Sequence, residues 1–119
     1  MSHVFASETV TARKQHICQH CRRMIIKSER YRRSTTVDCG DWDTFVCCQQ
    51  CQACVEDLWR IGIRDEGDDG NEWYAYLPNV DWPDVIANGS SIWALRAARF
   101  KQQWAGLPYP EDTTSTEAR

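Results

Sequence analysis

Six of the seven cysteines in this chain fall into two clusters. The first is Cys18-Gln19-His20-Cys21, and the second is Cys47-Cys48-Gln49-Gln50-Cys51-Gln52-Ala53-Cys54. Two Cys-x-x-Cys pairs a few tens of residues apart are the spacing of a zinc site. Zinc takes four ligands tetrahedrally, and thiolates suit its borderline-soft character. Two cysteines three apart, on a tight turn or at a helix start, aim both sulfurs at one point. The metal then joins two segments that have little else to hold them together.

Cys18 and Cys21 supply the first pair of ligands. The second pair is drawn from Cys47, Cys48, Cys51 and Cys54. Cys48 with Cys51 is the expected choice, because both sulfurs then lie at a helix start, where free N–H groups and the helix dipole stabilise thiolates. Cys51 with Cys54 has the same spacing but lies further into the helix. Cys54 also falls one turn from Leu58 on the apolar face, where a thiol acts as a small hydrophobe. His16 and His20 are substitute ligands, although a histidine inside the first pair more often faces solvent. Four cysteines also suit an iron–sulfur cluster, but two pairs flanking a hairpin favour one structural zinc. Cys39 sits in a turn and reads as a free thiol.

The elements that must position these ligands follow from periodicity. Tyr31-Arg32-Arg33-Ser34-Thr35-Thr36-Val37 has strand composition, with Tyr31, Arg33, Thr35 and Val37 on one face. Asp38-Cys39-Gly40-Asp41 is a turn signal, and Trp42 to Cys47 reads as the returning strand. From Cys48, apolar residues recur as Cys51, Cys54, Val55, Leu58 and Trp59, a helical stripe that Gly62 ends. The order of knuckle, β-hairpin and helix predicts a small α+β fold, a treble-clef-like zinc finger with a C-terminal helical extension.

The expected organisation is a flexible N-terminal arm over 1–12 and the zinc-binding module over 13–62. An extension over 63–109 carries a helix at about 90–105 packed on that module, and a disordered tail covers 110–119. Within the extension, Arg64 to Glu72 reads as a solvated acidic loop, and Trp73 to Leu77 as a short strand or extended segment. One helical turn is expected over Trp82 to Ala87. Ser90 or Ser91 would cap the last helix, whose stripe of Trp93, Ala97, Phe100 and Trp104 suits core packing.

The totals bound the rest. The chain has 119 residues, about one domain. A formal net charge of −3 excludes a globally basic nucleic-acid binder. The odd cysteine count and the absence of a basic and apolar leader point to a reduced, cytoplasmic protein in which cysteine means metal. No apolar run approaches the ~18 residues of a membrane span, so no membrane partner is expected.

Thr11-Ala12-Arg13-Lys14-Gln15-His16-Ile17-Cys18-Gln19-His20-Cys21, continued by Ser28-Glu29-Arg30-Tyr31, resembles the opening of a small family of phage and prophage zinc proteins. Those begin with Ala-Arg-Lys-x-His-x-Cys-x-x-Cys, continue through a Gly-Glu-x-Tyr strand, and close with a His-x-x-Cys pair at a helix start. Here Cys48 stands in place of that His, Cys51 in place of the last Cys, and Ser28 in place of the Gly. The resemblance covers residues 11 to about 60. It implies a treble-clef-like metal module in a phage-type accessory protein of a bacterial host, and no activity.

An enzyme is not expected. His3, His16 and His20 all precede the hairpin, whereas a His-Asn-His-type nuclease needs a histidine base on the hairpin and another on the following helix. Four thiolates would also close the position that a hydrolytic zinc keeps open. No small-molecule substrate is therefore expected. Two binding readings remain. The first is a host or phage protein as partner, regulated or inhibited by contact with the acidic second half. The second is nucleic acid, contacted by Arg22, Arg23, Arg30, Arg32 and Arg33 within a basic run over 13–33. The net acidity favours the first.

Overall fold

A computed structural model describes residues 2–38, 40–66 and 72–111. The fold is small α+β, with antiparallel sheets, three α-helices and a buried cluster of cysteines between them. Strand β1 (Ser2–Thr11) leads to two short strands, β2 (His16–Ile17) and β3 (Met24–Ile25), which pair around the first cysteine turn. Strands β4 (Arg30–Asp38) and β5 (Asp41–Cys48) form the expected hairpin, and β1 pairs with β4 to give the order β1-β4-β5. Gly40 closes the hairpin at φ +86°, a left-handed conformation that glycine adopts without a Cβ clash. Cys39 lies outside the described residues.

The expected N-terminal arm is thus a sheet strand. The reason is partnership rather than local pattern. β1 has little alternation of its own, but a nine-residue neighbour offers it a full ladder. Side chains add to that ladder: Ser7 bonds Ser34 at 3.0 Å, Arg33 pairs with Glu8, and Arg32 reaches Ser7 and Thr9.

Helix α1 (Gln49–Arg60) follows β5 without a loop, with Cys48 as its N-cap. Cys51, Cys54, Val55 and Leu58 form its buried face, as the stripe predicts. Ile61 and Gly62 close it through backbone bonds to Asp57 and Trp59, with Gly62 at φ +90°. The helix packs on the sheet face that carries Arg32, Ser34 and Thr36; Tyr31, Arg33, Thr35 and Val37 alternate to the other face.

The segment read as an acidic loop begins and ends in paired strands. Strands β6 (Arg64–Glu66) and β7 (Glu72–Tyr74) pair, and residues 67–71 lie outside the described residues. Packing on α1 fixes this hairpin. The Arg64 guanidinium lies 4.0 Å from the Trp59 ring centroid, and Tyr74 meets Trp59 edge-on. A 3-10 turn (Leu77–Asn79) then buries Leu77.

Helix α2 (Trp82–Asn88) is longer than the single turn expected, and the Asp81 carboxylate accepts the Asp84 N–H at its start. Helix α3 spans Ile92–Lys101, four residues short of the expected end. Ser91 occupies its N-cap in helical geometry and makes no capping bond through its side chain. Beyond Gln102, Gln103, Trp104 and Ala105 take φ +57°, +59° and +47°, and Gly106 takes +71°. This left-handed turn drives Trp104 into the core, where Trp93 and Ala97 are also buried, so the stripe packs inward although the helix has ended. Pro110 and Glu111 are described, and the rest of the expected tail, residues 112–119, lies outside the described residues. Among the described residues no helix is long and apolar enough to cross a membrane.

Candidate metal centre

The knuckle is built by backbone geometry. Cys18 N–H bonds the Arg23 carbonyl at 2.8 Å, Arg22 N–H bonds the Cys18 carbonyl at 2.9 Å, and Arg22 takes φ +66°. The turn brings the Cys18 and Cys21 sulfurs round to one side. Gln19 fastens it to β5, its N–H on the Val46 carbonyl and its side-chain oxygen on the Val46 N–H. On the other side, Cys48 ends β5 and Cys51 lies in the first turn of α1.

These four sulfurs meet. They lie within 4.8 Å of one another, all four residues are buried, and they could hold a metal ion. Cys18 Sγ stands 3.7 Å from Cys51 Sγ, and Cys21 Sγ stands 3.9 Å from Cys48 Sγ. None of the four is in a disulfide. Cys47 and Cys54, the alternatives for the second pair, point elsewhere. Cys47 Sγ faces Gln52 Oε1 at 3.6 Å, and Cys54 is enclosed in the core beside α3.

The protonation pattern follows from crowding. Hydrogen bonds from Cys21, Cys48 and Cys51 hold the Cys18 thiol far below its ordinary value. The Cys51 thiol is pushed far up, first by burial and then by its three neighbours. One thiolate is therefore stabilised by the remaining thiols, and a bound cation is what would let all four ionise together.

Several groups surround the sulfurs. Cys48 N–H points at Cys18 Sγ at 3.4 Å. The Trp104 indole N–H donates to Cys51 Sγ at 3.2 Å, a contact the sequence did not signal beyond the apolar stripe. Arg23 lies beside Cys48 and is held by Glu29, whose carboxylate raises the guanidinium pKa further.

His20, expected to face solvent, is buried. Its Nδ1 accepts the Leu77 N–H at 3.2 Å, and its ring contacts Phe45 and Tyr76. Burial lowers its pKa to about 4, against the opposing pull of Cys18 and Asp65. Its place between the two knuckle cysteines turns the ring toward the 3-10 turn rather than outward. His16 lies on the Tyr31 ring instead of near the sulfurs.

The five arginines expected to contact nucleic acid do not form one surface. Arg23 is tied to Glu29 and Arg33 to Glu8, while Arg32 is spent on Ser7 and Thr9. Arg22 and Arg30 have no carboxylate partner among the described residues. Arg30 joins Arg13, Lys14 and His16 around a groove of about 1000 Å³, which Arg33 also lines. A second cleft, of about 270 Å³, lies between α1, β7 and the Ser34–Thr36 side of the sheet. The two share no lining residue, and the acidic β6–β7 hairpin borders only the second. Comparison with protein-family models, with curated proteins and with solved structures gives no match, so what this chain does has to be read from its own geometry.

Proposed function

We propose that this chain is a small zinc-stapled accessory protein that acts by binding another protein, of the phage and prophage type its N-terminal motif resembles, as a regulator or inhibitor of a host machine. The metal is read as zinc on ligand chemistry. Bonds of about 2.3 Å in a tetrahedron set the sulfurs about 3.8 Å apart, which matches the 3.7 and 3.9 Å separations here. The knuckle, the β4–β5 hairpin and α1 then form a treble-clef-like module, in which four buried thiolates leave the ion a structural role.

The observation that carries the protein-binding reading is the fate of the arginines. Three of the five expected to meet phosphate are committed to contacts inside the molecule. The acidic hairpin, by contrast, carries Asp65 and Glu66 into solvent beside a cleft. Capture from bacterial lysate tests the reading, using wild type and a charge-reversed variant with Asp65, Glu66 and Glu72 changed to Lys. A partner retained by wild type and lost by the variant is expected. Equal retention, or no retained partner, would refute it. A second reading has one specific observation behind it. The groove of Arg13, Lys14, His16 and Arg30 suits a phosphate backbone. Tight binding to generic DNA or RNA, falling by about 0.9 log units per log unit of salt for each contact, would support that reading instead.

A further inference from the structure

We propose that the cleft between α1, β7 and the Ser34–Thr36 side of the sheet receives a lysine or arginine side chain of the partner protein. This rests on the protein-binding reading above and names the chemistry of its contact.

The lining is aromatic and carries one charge. Phe45, Trp73, Tyr74 and Tyr76 line the cleft, and among the described residues Asp43 is the only charged one in its walls. His20 also lines it, but its Nδ1 accepts the Leu77 N–H, so the imidazole is neutral. The rings of Phe45 and Tyr76 meet edge to face with centroids 6.4 Å apart. Ring faces carry negative quadrupole potential, and a cation placed over one gains ~0.5–2 kcal/mol. The Asp43 carboxylate is occupied only by the adjacent Thr44 N–H, at 3.0 Å, and has no cationic partner among the described residues.

Size and surroundings select the source of the cation. At about 270 Å³ the cleft falls just below the ~300–1,000 Å³ of sites for drug-sized ligands, and one long side chain fills such a space. At its rim, the Asp65 carboxylate accepts the Tyr76 N–H at 3.1 Å, and Glu66 is exposed next to it. These carboxylates lie outside the cleft, where a free amine gains little from them and a basic polypeptide gains more. The cationic head would sit between Asp43 and the rings, and its apolar stem against Val55.

Three probes test this by NMR titration of the zinc-loaded protein: a capped lysine tripeptide, its norleucine counterpart, and butylammonium. The lysine tripeptide should shift the side-chain signals of Phe45, Trp73 and Tyr76, with norleucine at least about ten-fold weaker and butylammonium weaker by about three-fold. Asp43→Asn keeps an acceptor for the Thr44 N–H and so tests charge without disturbing the fold; it should weaken the lysine probe about three- to five-fold. Trp73→Ala should weaken it about five-fold. Norleucine binding as well as lysine, or no shift at those residues with lysine, would overturn the site. Butylammonium binding as tightly as the tripeptide would overturn its assignment to a protein side chain. The outcomes separate from those of the capture experiment. A partner retained equally by wild type and Asp43→Asn would end this inference and leave protein binding intact, whereas lysine binding without any captured partner would leave a cation site and end its assignment to a partner protein.

Discussion

Replacing Trp104 by Phe removes its hydrogen bond to the metal centre together with one ring of a fully buried indole. The indole N–H donates to Cys51 Sγ at 3.2 Å, and the residue is fully buried, so no water takes its place. Once a metal holds Cys51 as a thiolate, this is a bond to a charged acceptor, worth ~1.5–3 kcal/mol. At ~1.4 kcal/mol per factor of ten, that is about 10- to 150-fold in metal affinity, in line with the ~10–100-fold seen for groups that support metal ligands. Trp82→Phe is the control. Trp82 is also buried, but its indole N–H has no partner among the described residues. That change costs packing at the Phe100 contact without touching the sulfurs. Competition with a chromophoric chelator measures the zinc affinity of both variants. Trp104→Phe should bind zinc at least ten-fold more weakly and Trp82→Phe as tightly as wild type. An affinity for Trp104→Phe within two-fold of wild type would refute the reasoning, as would equal losses in the two variants.

Other outcomes follow from the same structure. Cys48→Ser should lose the metal, while Cys47→Ser and Cys54→Ser keep it, as elemental analysis of the purified proteins will show. Because thiolate ligands release protons on binding metal, the unfolded chain holds more protons than the loaded protein, and stability should fall as pH drops; pH-dependent thermal melts check the sign. Arg96 pairs with Asp57 at 3.1 Å, donates to the Pro110 carbonyl, and lies between Trp93 and Tyr109. With Asp57 partly exposed, Arg96→Ala should cost near the lower end of the ~3–5 kcal/mol for breaking a buried pair, and a loss under 1 kcal/mol in urea unfolding would contradict that. His20→Phe keeps the ring packing but leaves the Leu77 N–H without its acceptor, at a cost of ~1–3 kcal/mol by the same assay. An unchanged midpoint would show that another acceptor takes over.

The parts of the fold written in local spacing were legible. Cys18, Cys21, Cys48 and Cys51 meet as their spacing implied, and the β4–β5 hairpin and α1 lie within a residue or two of their signals. What stayed hidden depends on neighbours distant in sequence. Ser2–Thr11 becomes a strand because β4 offers it an edge. His20 is buried because the Leu77 turn, far along the chain, covers it. Arg96, which no spacing within α3 singles out, is almost fully buried by a carboxylate on α1 and the rings of Trp93 and Tyr109. The basic run looked continuous in sequence, but alternation along β4 sends Arg32 and Arg33 to opposite faces.

The left-handed turn after α3 bears on the order in which the molecule assembles. A left-handed residue other than glycine costs ~1–2 kcal/mol, and Gln103, Trp104 and Ala105 adopt this conformation in succession. No local signal can nucleate such a turn, so it forms only when its anchor is ready. That anchor is the pocket at Cys51, which exists once the knuckle and α1 have closed. Residues 102–110 should therefore dock last during folding and detach first when the metal is withdrawn. Amide exchange at Ala105 and Leu107, both of which donate into this turn, should speed up under chelation before exchange within α1 does.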